Sequence, residues 1–214
     1  MRLSGFLFLF IIITNILSNF FEYKTIGDED PEAKLQKINK EPRKFKIGVV
    51  IILIEHFSII SLAVTLLLTF GSYNILLGII WCISRIGEGL IQIYDKKSYW
   101  GLLNSALRYS DKNGTEKNSL VDLSRNILKI KSYRFSFAQI LFSVGTFAYS
   151  ILFALYQIIP IFIGWFGIVA SVLYGLGNVI FHIKPNFKVL WNIGGGLVLL
   201  FELLLGGWLL FFPF

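Results

Sequence analysis

Six runs of 18 to 25 mostly apolar residues divide this chain, at 4–21, 47–70, 75–93, 134–158, 161–183 and 189–212. A helix rises 1.5 Å per residue and a bilayer's hydrocarbon core is about 30 Å thick, so about 20 such residues make one crossing. Backbone groups in lipid find no water, and an isolated apolar run satisfies them only as a helix. The expected fold class is therefore all-α. The chain reads as a polytopic integral membrane protein, a single membrane domain over residues 1–214 with six transmembrane helices in one bundle. Only 15% of residues are charged, where soluble domains hold about a quarter. A secretory signal would resemble the first run. Only Arg2 precedes it and no A-x-A-like site follows, so it is read as a retained first helix.

The charges lie between the runs. The net charge of +7 would suit nucleic acid, but 18 of the 20 Lys and Arg fall in three segments, 22–46, 94–134 and 184–188. A basic membrane surface facing anionic lipid explains that placement, and nucleic acid is not an expected partner. The connections at 71–74 and 157–162 carry no Lys or Arg, so the basic segments alternate and share one face. The positive-inside rule puts loops 22–46, 94–133 and 184–188 in the cytoplasm.

These loops have structure of their own. Asp30 before Pro31 is a helix-start signal, and 32–40 reads as a short surface helix within a solvated segment. Trp100, Leu103 and Leu107 recur at helical spacing, as do Leu120, Leu123, Ile127 and Ile130. They predict one or two amphipathic helices lying at the interface within the 94–133 loop. Asn113-Gly114 between them is a turn signal in preference to a glycosylation site. Tyr94, Tyr99, Trp100, Trp191 and Trp208 near the span ends read as interfacial anchors. The glycines of the last two spans, Gly194-Gly195-Gly196 among them, read as close helix contacts, with an unwound helix as the other reading.

Charges at membrane depth mark the place where a site would lie, because they are costly unless paired. Arg85 and Glu88 interrupt the third run, Glu55 and His56 the second, and Glu202 the sixth. Measured from the basic face by helical rise, Glu55 and Arg85 both lie about 13 Å deep, Glu88 about 9 Å and Glu202 about 20 Å. The tight turn 71–74 makes the second and third runs neighbours, so Glu55, Arg85 and Glu88 are expected to form an ion-paired cluster. Arg85 and Glu88, three apart, share a helix face. Arginine suits the centre because it can bind two carboxylates at once. His56 points about 100° away from Glu55, and whether Glu202 joins is left open by depth alone.

Three carboxylates against one arginine leave an imbalance that a proton, cation, water or ligand must complete. The sharper reading is a binding or carrying site for a small molecule or ion. The plainer one is a polar clamp that fixes helix register, in an accessory subunit of a larger membrane complex. A cavity reaching Glu55, Arg85 and Glu88 would favour the first; an exposed glycine-rich or aromatic face without a cavity would favour the second. No catalytic residue is assigned, since no acid, base and nucleophile can be placed together, and the reading leans non-enzymatic. Cys82 is the only cysteine and the two histidines are far apart, so no metal site or cofactor is assigned. The expected partners are the lipid bilayer, a small-molecule or ion ligand, and other membrane subunits.

The motif Arg85-x-x-Glu88, with Glu55 in the preceding span, resembles the R-x-x-E and G-x-x-x-E of the membrane family catalogued as domain of unknown function 4386. Ile159-Pro160 followed by Trp165-x-Gly167-Ile168, and Glu202-x-x-x-Gly206-x-Trp208-Leu209, resemble later motifs of that family. The resemblance covers roughly 47–212. It implies a six-helix membrane fold and no established activity. The family's basic stretch before the fifth span is here Tyr156–Ile161, without charge.

Overall fold

The structure is a computed structural model that describes residues 1–21, 30–110, 113–184 and 188–212. Among the described residues it is all-helical, with seven helices: α1 (Arg2–Phe20), α2 (Pro31–Lys40), α3 (Pro42–Phe70), α4 (Ile75–Tyr109), α5 (Gly114–Tyr156), α6 (Ile161–Ile183) and α7 (Val189–Phe211). Five of them, α3 to α7, are long and apolar enough to cross a membrane, and mark an integral membrane protein; α1 is a shorter apolar helix.

Local chemistry sets the helix ends. Asp30 caps α2, its carboxylate accepting from the Ala33 N–H at 3.4 Å with Pro31 in the first turn. Asn74 caps α4 by accepting from the Leu77 N–H at 3.1 Å, which fixes the tight α3–α4 turn. α5 stops at Gln157, whose φ of 51° is left-handed, and Pro160 then opens α6.

The polar segment after the third run differs from expectation. Residues 94–109 and 114–133 are not separate helices lying on the interface; they continue α4 and α5 without a break. α4 has 35 residues and α5 has 43, about 52 and 64 Å by helical rise, far more than a bilayer core. Their apolar spacing serves a different purpose. The two extensions pair beyond the membrane-length part of the bundle, and α2 docks on them. Leu35, Ile38, Phe45, Leu102, Leu103, Ala106 and Tyr109 form a second apolar core there. Tyr99 belongs to it rather than to an interface belt: its buried ring lies between Lys96 and Lys131, whose nitrogens are 4.6 and 4.4 Å from its centroid. The Tyr109 hydroxyl donates to Glu32, which with Lys117 nearby holds that carboxyl below its ordinary range.

α2 alone is too short to be a stable helix, so burial of Leu35 has to hold it. Leu35→Ala is expected to cost about 2–5 kcal/mol locally. Hydrogen exchange should then speed up in α2 while the amides of α6 and α7 stay protected. Unchanged α2 exchange would show that other contacts fix it.

The six longer helices close into a ring in the order α1, α3, α4, α5, α6, α7 and back to α1. α2 stands outside it. Among the described residues no helix fills the centre, so side chains must. In the half away from the basic segments they are large and apolar: Phe8, Phe70, Trp81, Tyr149, Phe153 and Phe201 are almost fully buried. Phe8 and Phe201 both contact the Tyr149 ring, at centroid distances of 6.2 and 6.0 Å. α6 and α7 meet through glycine: a Cβ on Gly194 would lie 2.6 Å from the Tyr174 Cα, and one on Gly177 2.8 Å from the Trp191 backbone. α7 is continuously helical through Gly194-Gly195-Gly196, so this stretch is not unwound, and Gly194 serves contact. Between this plug and the second core lies a band of polar residues.

Candidate functional site

One line of side chains on α4 builds most of the polar band. Arg85, Glu88, Gln92 and Lys96 follow one another at helical spacing and are all buried. Arg85 is the hub. Its Nη1 is 2.9 Å from Glu88 Oε2, its Nη2 is 3.8 Å from Glu202 Oε1, and its guanidinium carbon is 4.4 Å from the Phe142 ring centroid. Gly145 makes room for the stem, because a Cβ there would lie 2.8 Å from Arg85 Cγ. At 2% exposure the guanidinium depends on these carboxylates for its charge balance.

Helix direction explains which acid Arg85 finds. Side chains lean toward the N-terminus of their own helix. α4 runs toward the basic face, so Arg85 leans away from that face. α7 runs the other way, so Glu202 leans back up to meet it. The difference in Cα depth, about 7 Å by helical rise, is closed from both sides. α3 runs parallel to α7, so Glu55 leans toward the basic face and away from Arg85. Glu55 accepts instead from the Asn15 amide of α1, Nδ2 to Oε1 at 3.2 Å. Lys96, nearer that face and leaning down, interacts electrostatically with Glu55.

Glu55, His56, Arg85, Glu88 and Glu202 all line one cavity of about 390 Å³ at the centre of the ring. That is near the lower end of small-molecule pockets, roughly 300–1,000 Å³. All six ring helices contribute to its wall. His56, which the sequence left pointing elsewhere, is 2% exposed and faces the same space. Asn15, Gln92, Lys96, Gln139, Tyr174 and Trp191 add polar atoms that sequence reading did not assign to a site. Some are already satisfied: the Tyr174 hydroxyl donates to Gln139 Oε1 at 3.0 Å, and the Trp191 indole donates to Asn178 Oδ1 at 3.2 Å. Trp191 is therefore a half-buried wall residue, hydrogen-bonded within the bundle.

Glu55 and His56 are different. Among the described residues Glu55 Oε2 and both ring nitrogens of His56 are buried without a hydrogen-bond partner. Buried polar atoms without partners are uncommon and costly, of the order of 1–3 kcal/mol each. In formal charge the wall sets three carboxylates, Glu55, Glu88 and Glu202, against two cations, Arg85 and Lys96. The site thus offers one more carboxyl group than cations, one carboxyl oxygen without a partner and one imidazole that can both donate and accept. No group of three or more His, Cys, Asp and Glu with metal-holding geometry occurs among the described residues. Cys82 is buried in the apolar core, away from this wall.

A family described as a domain of unknown function, DUF4386, matches residues 3–212. No curated protein and no solved structure matches the chain.

Proposed function

The chain belongs to the DUF4386 family of domains of unknown function, and from that premise we propose that it is a non-enzymatic multi-pass membrane protein that binds a small molecule or ion in its central cavity. The occupant is cationic or donates hydrogen bonds. The observation that carries this reading is the cavity of about 390 Å³ that reaches Glu55 and His56 while leaving their buried polar atoms without partners. A clamp that only fixed helix register would be expected to close on its own polar groups. The use of glycines also favours a self-contained bundle: Gly164, Gly167, Gly177 and Gly194 face neighbouring helices of the same chain, where a Cβ would collide.

In this reading α1 is a sixth span. Its 19 residues measure about 28 Å, and its N-terminal Gly5 lies against Leu210 near the end of α7, so the two helices are antiparallel. The basic face, which includes the α2–α4–α5 core, reads as cytoplasmic by the positive-inside rule.

The test is thermal melting in detergent with n-butylammonium, potassium or sodium added, for wild type and Glu55→Gln. A ligand at 100 times its Kd stabilises by about 2.7 kcal/mol. At least one probe is expected to raise the wild-type midpoint and to lose that effect in Glu55→Gln. Equal shifts in both proteins, or no shift with any probe, would overturn the proposal.

A further inference from the structure

The walls of the cavity are not equally closed. Ile11, Ile12, Ile52, Ile59 and Val198 are buried, but Ile16 on α1 is 49% exposed and Leu199 on α7 is 45% exposed, and both line the cavity. Asn15 is exposed as well, yet its amide bonds Glu55. One side chain therefore spans from the outer surface of the ring to the buried carboxylate. On the side toward the basic face, the lining residue Lys96 is only 4% exposed, beneath the second core. On the other side lies the aromatic plug.

At its far end the contact between α1 and α7 runs through glycine. A Cβ on Gly5 would lie 2.5 Å from the Leu210 N, and one on Gly206 2.8 Å from the Phe8 Cβ. Ile16 and Leu199 lie about 16 and 10 Å from those glycines along their helices. The exposed lining residues thus lie away from this close contact, toward the other end of the pair, and mark where the cavity opens. In the bilayer that opening faces lipid.

We infer that the cavity is entered sideways from the bilayer, between α1 and α7, and that its occupant is a membrane-borne amphiphile with a single aliphatic chain and an ammonium head. This inference rests on the binding function proposed above and adds the route and the ligand class. The head follows from the wall. An ammonium brings three donors, and the site offers Glu55 Oε2, the imidazole nitrogens of His56 and one more carboxyl group than cations. An anionic head would face three carboxylates. The chain follows from the mouth, where exposed Ile16 and Leu199 present hydrocarbon, backed by buried Ile12 and Val198. Neighbouring helix axes lie about 8–10 Å apart, so a gap between two of them passes one chain more readily than two.

The test uses the full chain in phosphatidylcholine vesicles and a twelve-carbon primary amine carrying a diazirine at mid-chain. Photolabel is expected to concentrate around Ile16 and Leu199 and to fall at least five-fold in Glu55→Gln. Leu199→Trp, which fills the mouth and leaves the polar wall intact, should lower labelling by a similar factor. It serves as the second variant if Glu55→Gln is poorly folded. Label spread evenly around the bundle and unmoved by either variant would overturn lateral entry. If n-butylammonium still stabilises wild type but not Glu55→Gln in that case, the binding function stands and only the route and tail are wrong. If butylammonium, potassium and sodium all fail as well, both readings fall together.

Discussion

Arg85→Ala is expected to destabilise the protein by about 3–5 kcal/mol, the usual cost of breaking a buried ion pair from one side. The variant leaves Glu88 and Glu202 facing each other without the cation that separates them. For a chain of this size that corresponds to a fall of roughly 6–20 °C in melting midpoint. Lys184→Ala removes the same charge at an exposed position and should stay within about 0.5 kcal/mol of wild type. The loss in Arg85→Ala comes from stranded carboxylates more than from the arginine's own packing. The triple variant Arg85→Met, Glu88→Gln, Glu202→Gln should therefore be more stable than Arg85→Ala alone. If Arg85→Ala and Lys184→Ala melt together, Arg85 is not a buried hub.

Gly194→Ala and Gly196→Ala are expected to act in opposite directions although they lie two residues apart on one helix. A Cβ at 194 would sit 2.6 Å from the Tyr174 Cα and 2.7 Å from its N, and backbone cannot move aside cheaply. Overpacking of this kind costs about 1–3 kcal/mol or more, and here it would also push α7 off α6 beside the cavity wall. At 196 nothing lies within 4 Å, so alanine should be neutral or gain up to about 1 kcal/mol from helix propensity. Melting midpoints of the two variants in the same detergent check this. A harmless Gly194→Ala would mean that α6 and α7 do not meet through that glycine.

Much of this architecture was legible in the residues, for stated reasons. The runs at 161–183 and 189–212 correspond to α6 and α7 within a residue, because Pro160 and the KPNFK loop mark their limits. The turn at 71–74 was legible through its length and the Asn74 cap. The boundaries on the basic side were not. Polar composition after Tyr94 suggested an end to the third span, but helices end at breakers, not at a change of solvent. No proline lies between Asn74 and Pro160, and Gly114, which opens α5, is left-handed. That absence of breakers was the signal for two long helices.

The candidate site divides in the same way. Arg85, Glu88 and Glu55 stand out from the cost of charge at depth, with no tertiary information. The pairing of Arg85 with Glu202 needed the opposite lean of side chains on antiparallel helices, which depth along the axis does not contain. Asn15 could not be assigned because the position of α1 in the ring depends on Gly5 meeting Gly206 and Leu210, a contact between the two ends of the sequence. Lys96 falls in the polar segment that composition assigns to the cytoplasmic loop, although its spacing from Arg85, Glu88 and Gln92 places it on their line. His56 belongs among the candidate site residues by its depth, although on an ideal helix it points away from Glu55. In a closed ring two adjacent positions can both face a wide central cavity.

The central claim is that this cavity holds a ligand and does not merely bury a clamp. Native mass spectrometry of the full chain, extracted gently from its own membrane, tests it most directly. A binding site predicts a reproducible small adduct on wild type that is lost in Glu55→Gln while Lys184→Ala keeps it. A bare chain in all three proteins, released only as part of a larger membrane assembly, would contradict the claim and leave the polar band as structure alone.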